Sequence, residues 1–220
     1  MKKLMFSAVA LGLVFASCTD NGTEVEAKDA LTIEKTETAE SIKLTNIEEG
    51  SNIQWFASHL GGIEPRFGKI MLQSADVSVN SGKVESAEVI VEMSTLTVEN
   101  FKDDAEKTEY LRSHLAGPDF FNAPENPTAK FELATIEAAT EGDFNSVVTG
   151  NLTILDSTKS ISFKANVNAT DDLVTISSEQ FAIDRTMWGM NYNVEGSEGV
   201  PADRLIANEV GFIINVKVTK

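Results

Sequence analysis

The chain has little with which to cross-link itself or to perform covalent chemistry. Of its 220 residues one is cysteine, two are histidine and five are proline. A lone cysteine makes no internal disulfide, so Cys18 needs another explanation. Neither His59 nor His114 has a His, Cys or carboxylate at metal-ligand spacing on its own element, so no metal site is expected. No nucleophile, base and orienting group form a set, and no glycine-rich phosphate loop occurs. The sequence therefore predicts no catalytic residue, no enzymatic activity and no cofactor. Basic residues are also scarce, with Lys+Arg 18 against Asp+Glu 34 and a net charge of −16. That field repels phosphate backbones, and no basic stripe offsets it, which argues against a nucleic-acid partner. After the first residues, no apolar run approaches the roughly 20 residues that a membrane-crossing helix needs.

What is present is a globular composition, 42% hydrophobic and 24% charged, in a length that suits one folded domain. Lys2 and Lys3 precede an apolar run from Leu4 to Phe15 that ends in the small residues Ala16 and Ser17, the pattern of a signal peptide over residues 1–17. The block Phe15-Ala16-Ser17-Cys18 resembles a bacterial lipobox, with Phe15 where the pattern usually has Leu. The resemblance implies lipidation of Cys18, and several acyl chains on one residue give lasting membrane attachment. Such a protein belongs to the bacterial cell envelope, facing the periplasm or cell surface. Thr19 after the cysteine favours the outer membrane by analogy. From Thr19 to Glu40 the chain is rich in Thr and Glu and has no sustained apolar period, so residues 18–41 are expected to be a lipidated cysteine and a disordered acidic tether. Such a tether would span roughly 25 Å as a coil and at most about 75 Å extended.

From residue 42 to 220 the dominant signal is period-two alternation enriched in Val, Ile, Thr and Phe. Eight runs read as strands: Asn52–His59, Phe67–Val79, Val84–Thr95, Ala129–Glu137, Asn145–Leu155, Ser160–Asn168, Asp172–Asp184 and Asn208–Val218. Turn chemistry at Gly61-Gly62, Asn80-Ser81-Gly82, Glu141-Gly142-Asp143 and Asp171-Asp172 separates them. Asp103 to Ala116 instead places Leu111 and Leu115 four apart before Gly117-Pro118, which predicts one short helix. An all-β chain with one helix and no βαβ rhythm favours a closed antiparallel barrel or a sandwich. Asn21, Asn151 and Asn168 lie in Asn-X-Thr sequons, read as chance matches in a bacterial protein.

A barrel of about eight strands can be filled by side chains or left open for one small apolar ligand. Alternation puts Ile53, Trp55, Ala57 and His59 on one face of the first strand, the face expected to point inward. Phe181, Ile183, Arg185 and Met187 likewise share a face. The aromatic residues Trp55, Phe67, Phe120, Phe121, Phe131, Phe181 and Trp188 suit either the lining of an acyl channel or a filled core. Phe120-Phe121 is placed to plug or gate one end, with the helix as a lid. Arg185 and Arg66 are candidates to pair with an anionic head group, or with a local carboxylate such as Asp184 or Glu179 for Arg185. His59 is either a head-group contact or a satisfied core histidine; His114 suits the C-terminal end of the helix dipole.

Several blocks in order resemble the YceI-like family of bacterial exported proteins. They are Ile53-Gln54-Trp55, Ser58-His59-Leu60-Gly61-Gly62, Arg66-Phe67-Gly68, Met93-Ser94-Thr95-Leu96, Tyr110 through Leu115, Asp119-Phe120-Phe121-Asn122, Asn126 through Phe131, Val148 through Ile154, Thr158-Lys159-Ser160-Ile161, and Phe181 through Met190. The resemblance implies an eight-stranded antiparallel lipocalin-like barrel over residues 42–220, holding a polyisoprenoid, an isoprenoid quinone or a fatty acyl derivative. On that reading Trp55, His59, Phe67, Phe120, Phe121, Phe131, Phe181, Ile183, Arg185 and Trp188 contact the ligand. A structural or adhesive surface lipoprotein with a filled barrel is the alternative, and the sequence leaves open whether two copies form a homodimer.

Overall fold

The computed structural model describes residues 18–19, 21–34 and 38–220. The leader read as a signal peptide lies outside the described residues. Eight strands form the barrel: β1 (Asn52–His59), β2 (Ile63–Asn80), β3 (Lys83–Glu92), β4 (Thr128–Ala138), β5 (Ser146–Ile154), β6 (Ser157–Ala169), β7 (Leu173–Ser178) and β8 (Glu209–Thr219). Each pairs antiparallel with the next, and β8 returns to β1, where Phe212 faces Trp55 and Ile214 faces Ile53. Closure leaves no continuous free edge to template aggregation. The expected all-β barrel with one helix is thus what forms.

The expected strand limits hold to within a few residues except at three places. The second strand begins at Ile63 instead of Phe67, and the run to Thr95 ends in a 3-10 turn over Met93–Thr95. The run Asp172–Asp184 is two pieces, β7 and a short strand Phe181–Asp184, both paired with β8. Helix α1 (Ala105–Ala116) starts at Asp104, whose Oδ1 accepts the Lys107 N–H at 3.0 Å.

Stagger is what closes the barrel. The first half of β2 pairs with β1, and the second half with β3. The stagger leaves two gaps in the wall. One lies beyond the start of β1 and is filled by Ile42–Leu44 against Val77–Val79 of β2 and by Asn46–Ile47 against Val218–Thr219 of β8. The other lies between the first half of β6 and Phe181–Asp184. There Gly22–Glu24 pairs parallel with Phe181–Ala182, and Lys28–Asp29 pairs antiparallel with Lys159–Ser160 of β6.

The stretch expected to be a disordered tether contributes to the wall through Thr23–Glu24 and Lys28–Asp29. The Val25 N–H bonds the Ala182 carbonyl at 2.8 Å, and the Asn21 Nδ2 donates to the Glu209 carbonyl at 2.9 Å. Asn151 clamps the segment further on, accepting the Leu31 N–H at 2.9 Å and donating to its carbonyl at 2.8 Å. Val25 is buried in the main core and Ala27 packs against it. Low hydrophobicity argued for disorder, but an open strand edge recruits extended backbone almost regardless of side chain. The approach is close: a Cβ on Gly211 would lie 2.1 Å from the Asn21 carbonyl oxygen, so only glycine fits beneath the strap. Two sequon asparagines, Asn21 and Asn151, are buried by these contacts.

One end of the barrel is sealed by a cluster around Leu44, Val79, Val174 and Val218, all nearly inaccessible. At the other, Leu111 and Leu115 of α1 and Phe121 pack against the main core. No described helix is long and apolar enough to cross a membrane.

Candidate functional site: the barrel lumen

Between the two ends lies a cavity of about 130 Å³. Its lining is drawn from Ile, Val, Leu, Ala, Met and Phe alone. The strands produce it by alternation: Val148, Leu152 and Ile154 of β5 face in with Ile161 and Phe163 of β6, while Asn151 and Ser160 face out under the strap. On β4 the lining runs from Ala129 to Ile136, about 23 Å of strand.

Four phenylalanines form a belt across this lining. Phe163 and Phe181 stack with centroids 4.6 Å apart and planes 8° from parallel, flanked by Phe131 and Phe212, each at 6.0 Å from its neighbour. Phe131 owes its position to Gly150, where the β4–β5 register shifts. A Cβ there would come within 2.4 Å of both the Phe131 ring and the Glu132 carbonyl.

The lining side chains carry no donor, acceptor or titrating group, so the lumen can solvate hydrocarbon. An apolar cavity of this kind does not hold water well. Filling it transfers methylenes from water at roughly 0.8 kcal/mol each.

The expected ligand contacts divide. Phe121, Phe131 and Phe181 line the lumen. Trp55, Ile183 and Trp188 are buried in the surrounding core and do not reach it; both indoles are fixed by donation to backbone, Trp55 to Thr97 and Trp188 to Leu152, each at 3.0 Å. Phe67 is opposite Phe56 and alternates with Gly68, so it points outward. His59 and Phe120 line a second cleft outside the barrel mouth.

Arg185 is no head-group contact. It is 1% exposed, and its guanidinium donates to four backbone carbonyls, those of Ala207 (3.1 Å), Met190 (2.6 Å), Tyr192 (3.0 Å) and Ile206 (3.3 Å). Burial pushes it below the ordinary arginine value, opposed by Asp184 and Glu209. It is a pin joining the 3-10 turn Arg185–Trp188 to the loop before β8. The planar fork that suggested phosphate recognition serves carbonyls equally well.

Phe163, Phe212 and the aliphatic majority of the lining are not among the expected contacts. Their signal was available in the alternation of Ile161, Phe163 and Ala165 and of Phe212, Ile214 and Val216.

Small closed antiparallel barrels around an apolar interior are a recognisable class, and this chain is one of them. It belongs to the YceI-like family, whose domain matches residues 25–218. A UPF0312 protein of Pseudomonas putida is 28% identical over 168 residues, 76% of this chain and 74% of that protein. A UPF0312 protein of Shewanella baltica is 32% identical over 118 residues, 53% of this chain and 56% of the relative. Among solved structures, Burkholderia cenocepacia BcnA superposes with a TM-score of 0.57 at 19% identity, covering 79% of this chain and 100% of the other. A polyisoprenoid binding domain from Saccharophagus degradans, implicated in plant cell wall breakdown, superposes with a TM-score of 0.55 at 10% identity, covering 80% and 97%. At these identities the structural likeness speaks for the fold.

Proposed function

We propose that the protein binds a long apolar molecule, a polyisoprenoid, an isoprenoid quinone or a fatty acyl derivative, in its barrel lumen without covalent chemistry. The carrying observation is a cavity with a wholly apolar lining, which the barrel's own side chains do not fill. Membership of the YceI-like family and the polyisoprenoid-binding description of the Saccharophagus degradans domain support the same reading. A barrel filled by its own side chains would have favoured a purely structural surface role.

The same proposal includes the cell envelope: cleavage before Cys18, acylation of that cysteine, and attachment to a membrane, the outer one in preference. Cys18 pairs with Thr23, which is itself paired in the wall, so an anchor at Cys18 would hold the barrel close to the lipid.

Protein expressed without Cys18 and extracted with organic solvent should release an isoprenoid or acyl compound in stoichiometric amount by mass spectrometry. Ala129→Phe, which adds a ring to the lining, should abolish the release while the strand signal in circular dichroism persists. Nothing recovered from the unsubstituted protein, and no uptake of added polyprenol, would refute the carrier role. For the anchor, membrane-fractionated protein should carry an acyl mass on Cys18 that Cys18→Ser loses.

A further inference from the structure

Side chains cover both ends of the lumen, Leu44, Val79, Val174 and Val218 at one and Leu111, Leu115 and Phe121 at the other. A ligand therefore reaches the interior only where some part of the barrel opens. The wall is not uniform in this respect. Most of its seams are continuous ladders, as where β5 and β6 pair from Ser146 with Ala165 to Ile154 with Ser157. The seam between β6 and β7 is not, for it runs only from Ala165 to Ala169. Its last ties are at Lys164 and Glu179, where the Lys164 N–H donates to the Glu179 carboxylate and the Glu179 N–H to the Lys164 carbonyl, each at 2.9 Å. From there toward the mouth, the first half of β6 and Phe181–Asp184 part. They are joined again only at the 3-10 turn Arg185–Trp188, where the Trp188 indole donates to the Leu152 carbonyl and the Ser157 hydroxyl to that of Met187.

Within that parting the outer wall is the strap of residues 22–31. It pairs with two residues on each side: Thr23 and Glu24 with Phe181 and Ala182, Lys28 and Asp29 with Ser160 and Lys159. The Thr23 N–H bonds the Gln180 carbonyl at 3.1 Å and the Val25 N–H that of Ala182 at 2.8 Å. Only Val25 and Ala27 add apolar contact to the main core, and Asn151 clamps the far end at Leu31. On the lumen side, Phe163 of β6 stacks on Phe181 across the same parting, and both rings line the cavity. The wall here is one short strand backed by two rings that lean on each other. With that strand gone, the flanking backbones would stand about 10 Å apart, twice the strand spacing, and turning either ring aside would open a slot for a hydrocarbon chain.

We propose that the strap is a side gate, and that apolar cargo enters and leaves between β6 and Phe181–Asp184 when residues 22–31 lift off. The inference rests on the lumen reading above and adds the route. Opening is local: it breaks the bonds just named and exposes Val25 and Ala27, while the ladders from β1 to β5 stay closed. Cys18 pairs with Thr23 at the foot of the strap, so the acyl anchor proposed there would set the gate beside the lipid that supplies or receives the cargo.

The test uses the full chain with Cys18→Ser, stripped of bound lipid. Lys28 and Ser160 are opposite each other, so Lys28→Cys with Ser160→Cys allows the strap to be locked by oxidation and freed by reduction. Loading is followed by stopped-flow fluorescence of N-phenylnaphthylamine, an apolar dye, counting only the signal that farnesol displaces. Oxidised protein should lose loading over the time in which the same protein, reduced, loads fully. Asn151→Ala, which releases the clamp at Leu31, should speed loading and release alike by about tenfold, the scale of two lost hydrogen bonds, and leave the equilibrium affinity where it was. Equal loading rates before and after reduction, with the cross-link verified by mass, overturn the gate and leave the lumen reading intact. Rates unchanged by Asn151→Ala overturn the gate in the same way, whether or not the cross-link forms. Absence of any farnesol-displaceable signal from the reduced protein overturns the lumen reading and the gate with it.

Discussion

Gly150 and Phe131 show how much of the interior turns on a single atom. With no Cβ on Gly150, the Phe131 ring comes close against the β5 backbone; adding a methyl would drive it away or push apart β4 and β5. Gly150→Ala should therefore lower stability by about 1–3 kcal/mol, measured by urea denaturation, and should weaken uptake of an apolar probe as the ring is forced into the lumen. An unchanged midpoint would show that the wall yields at no cost. At this scale the sequence was readable where alternation alone decides orientation, as for Phe131 and Phe181. It was unreadable where a long polar side chain chooses among partners. Arg185 follows an apolar row and is buried, but the carbonyls it pins come from Met190, Tyr192, Ile206 and Ala207, and no local pattern announces which loops will fold over it.

Among the elements, the segment from Asn21 to Leu31 departs furthest from expectation. Its composition suits disorder, yet it supplies the missing piece of wall between β6 and Phe181–Asp184. Period-two patterning finds strands that bury one face; a strap that buries little beyond Val25 and Ala27 leaves almost no such trace. Deleting residues 19–30 should lower stability by about 2 kcal/mol or more, from the burial of Val25 and the loss of edge hydrogen bonds. A free tether would leave the denaturation midpoint where it was. Helix α1 was legible through its capping residues and leucine spacing, and it carries a pH signature. The Glu109 carboxylate accepts from the Arg112 Nε at 2.7 Å and from the Ser113 hydroxyl at 2.9 Å, bonds that lower its pKa from 4.5 to about 2. The folded value lies below the unfolded one, so these bonds favour the helix above about pH 4.5 and their contribution is lost as pH falls toward 2. Carboxyl NMR should find the Glu109 midpoint near 2, moved back toward 4.5 in Arg112→Gln.

For the whole molecule, eight alternating runs with one helix left few architectures available, and the ordered blocks from Ile53 to Met190 selected among them. The volume of the lumen was not legible, because the same Val, Ile and Phe pattern builds a filled barrel as readily as a vacant one. The difference lies in stagger and in which side chains meet across the axis. The cleft outside the mouth was hidden for a related reason: its lining comes from β1, β2, α1 with its flanking residues Phe101 and Phe120, and the 192–206 segment, which no single stretch of sequence brings together.

The joining of β8 to β1 and to Asn46–Ile47, with Phe181–Ala182 gripping Thr23–Glu24, ties the last strand of the barrel to the first and to the segments that precede it. Such long-range pairing makes for slow folding. Until β8 is in place, the sheet is an open trough with its oily inner face turned to water, a surface prone to aggregate before closure.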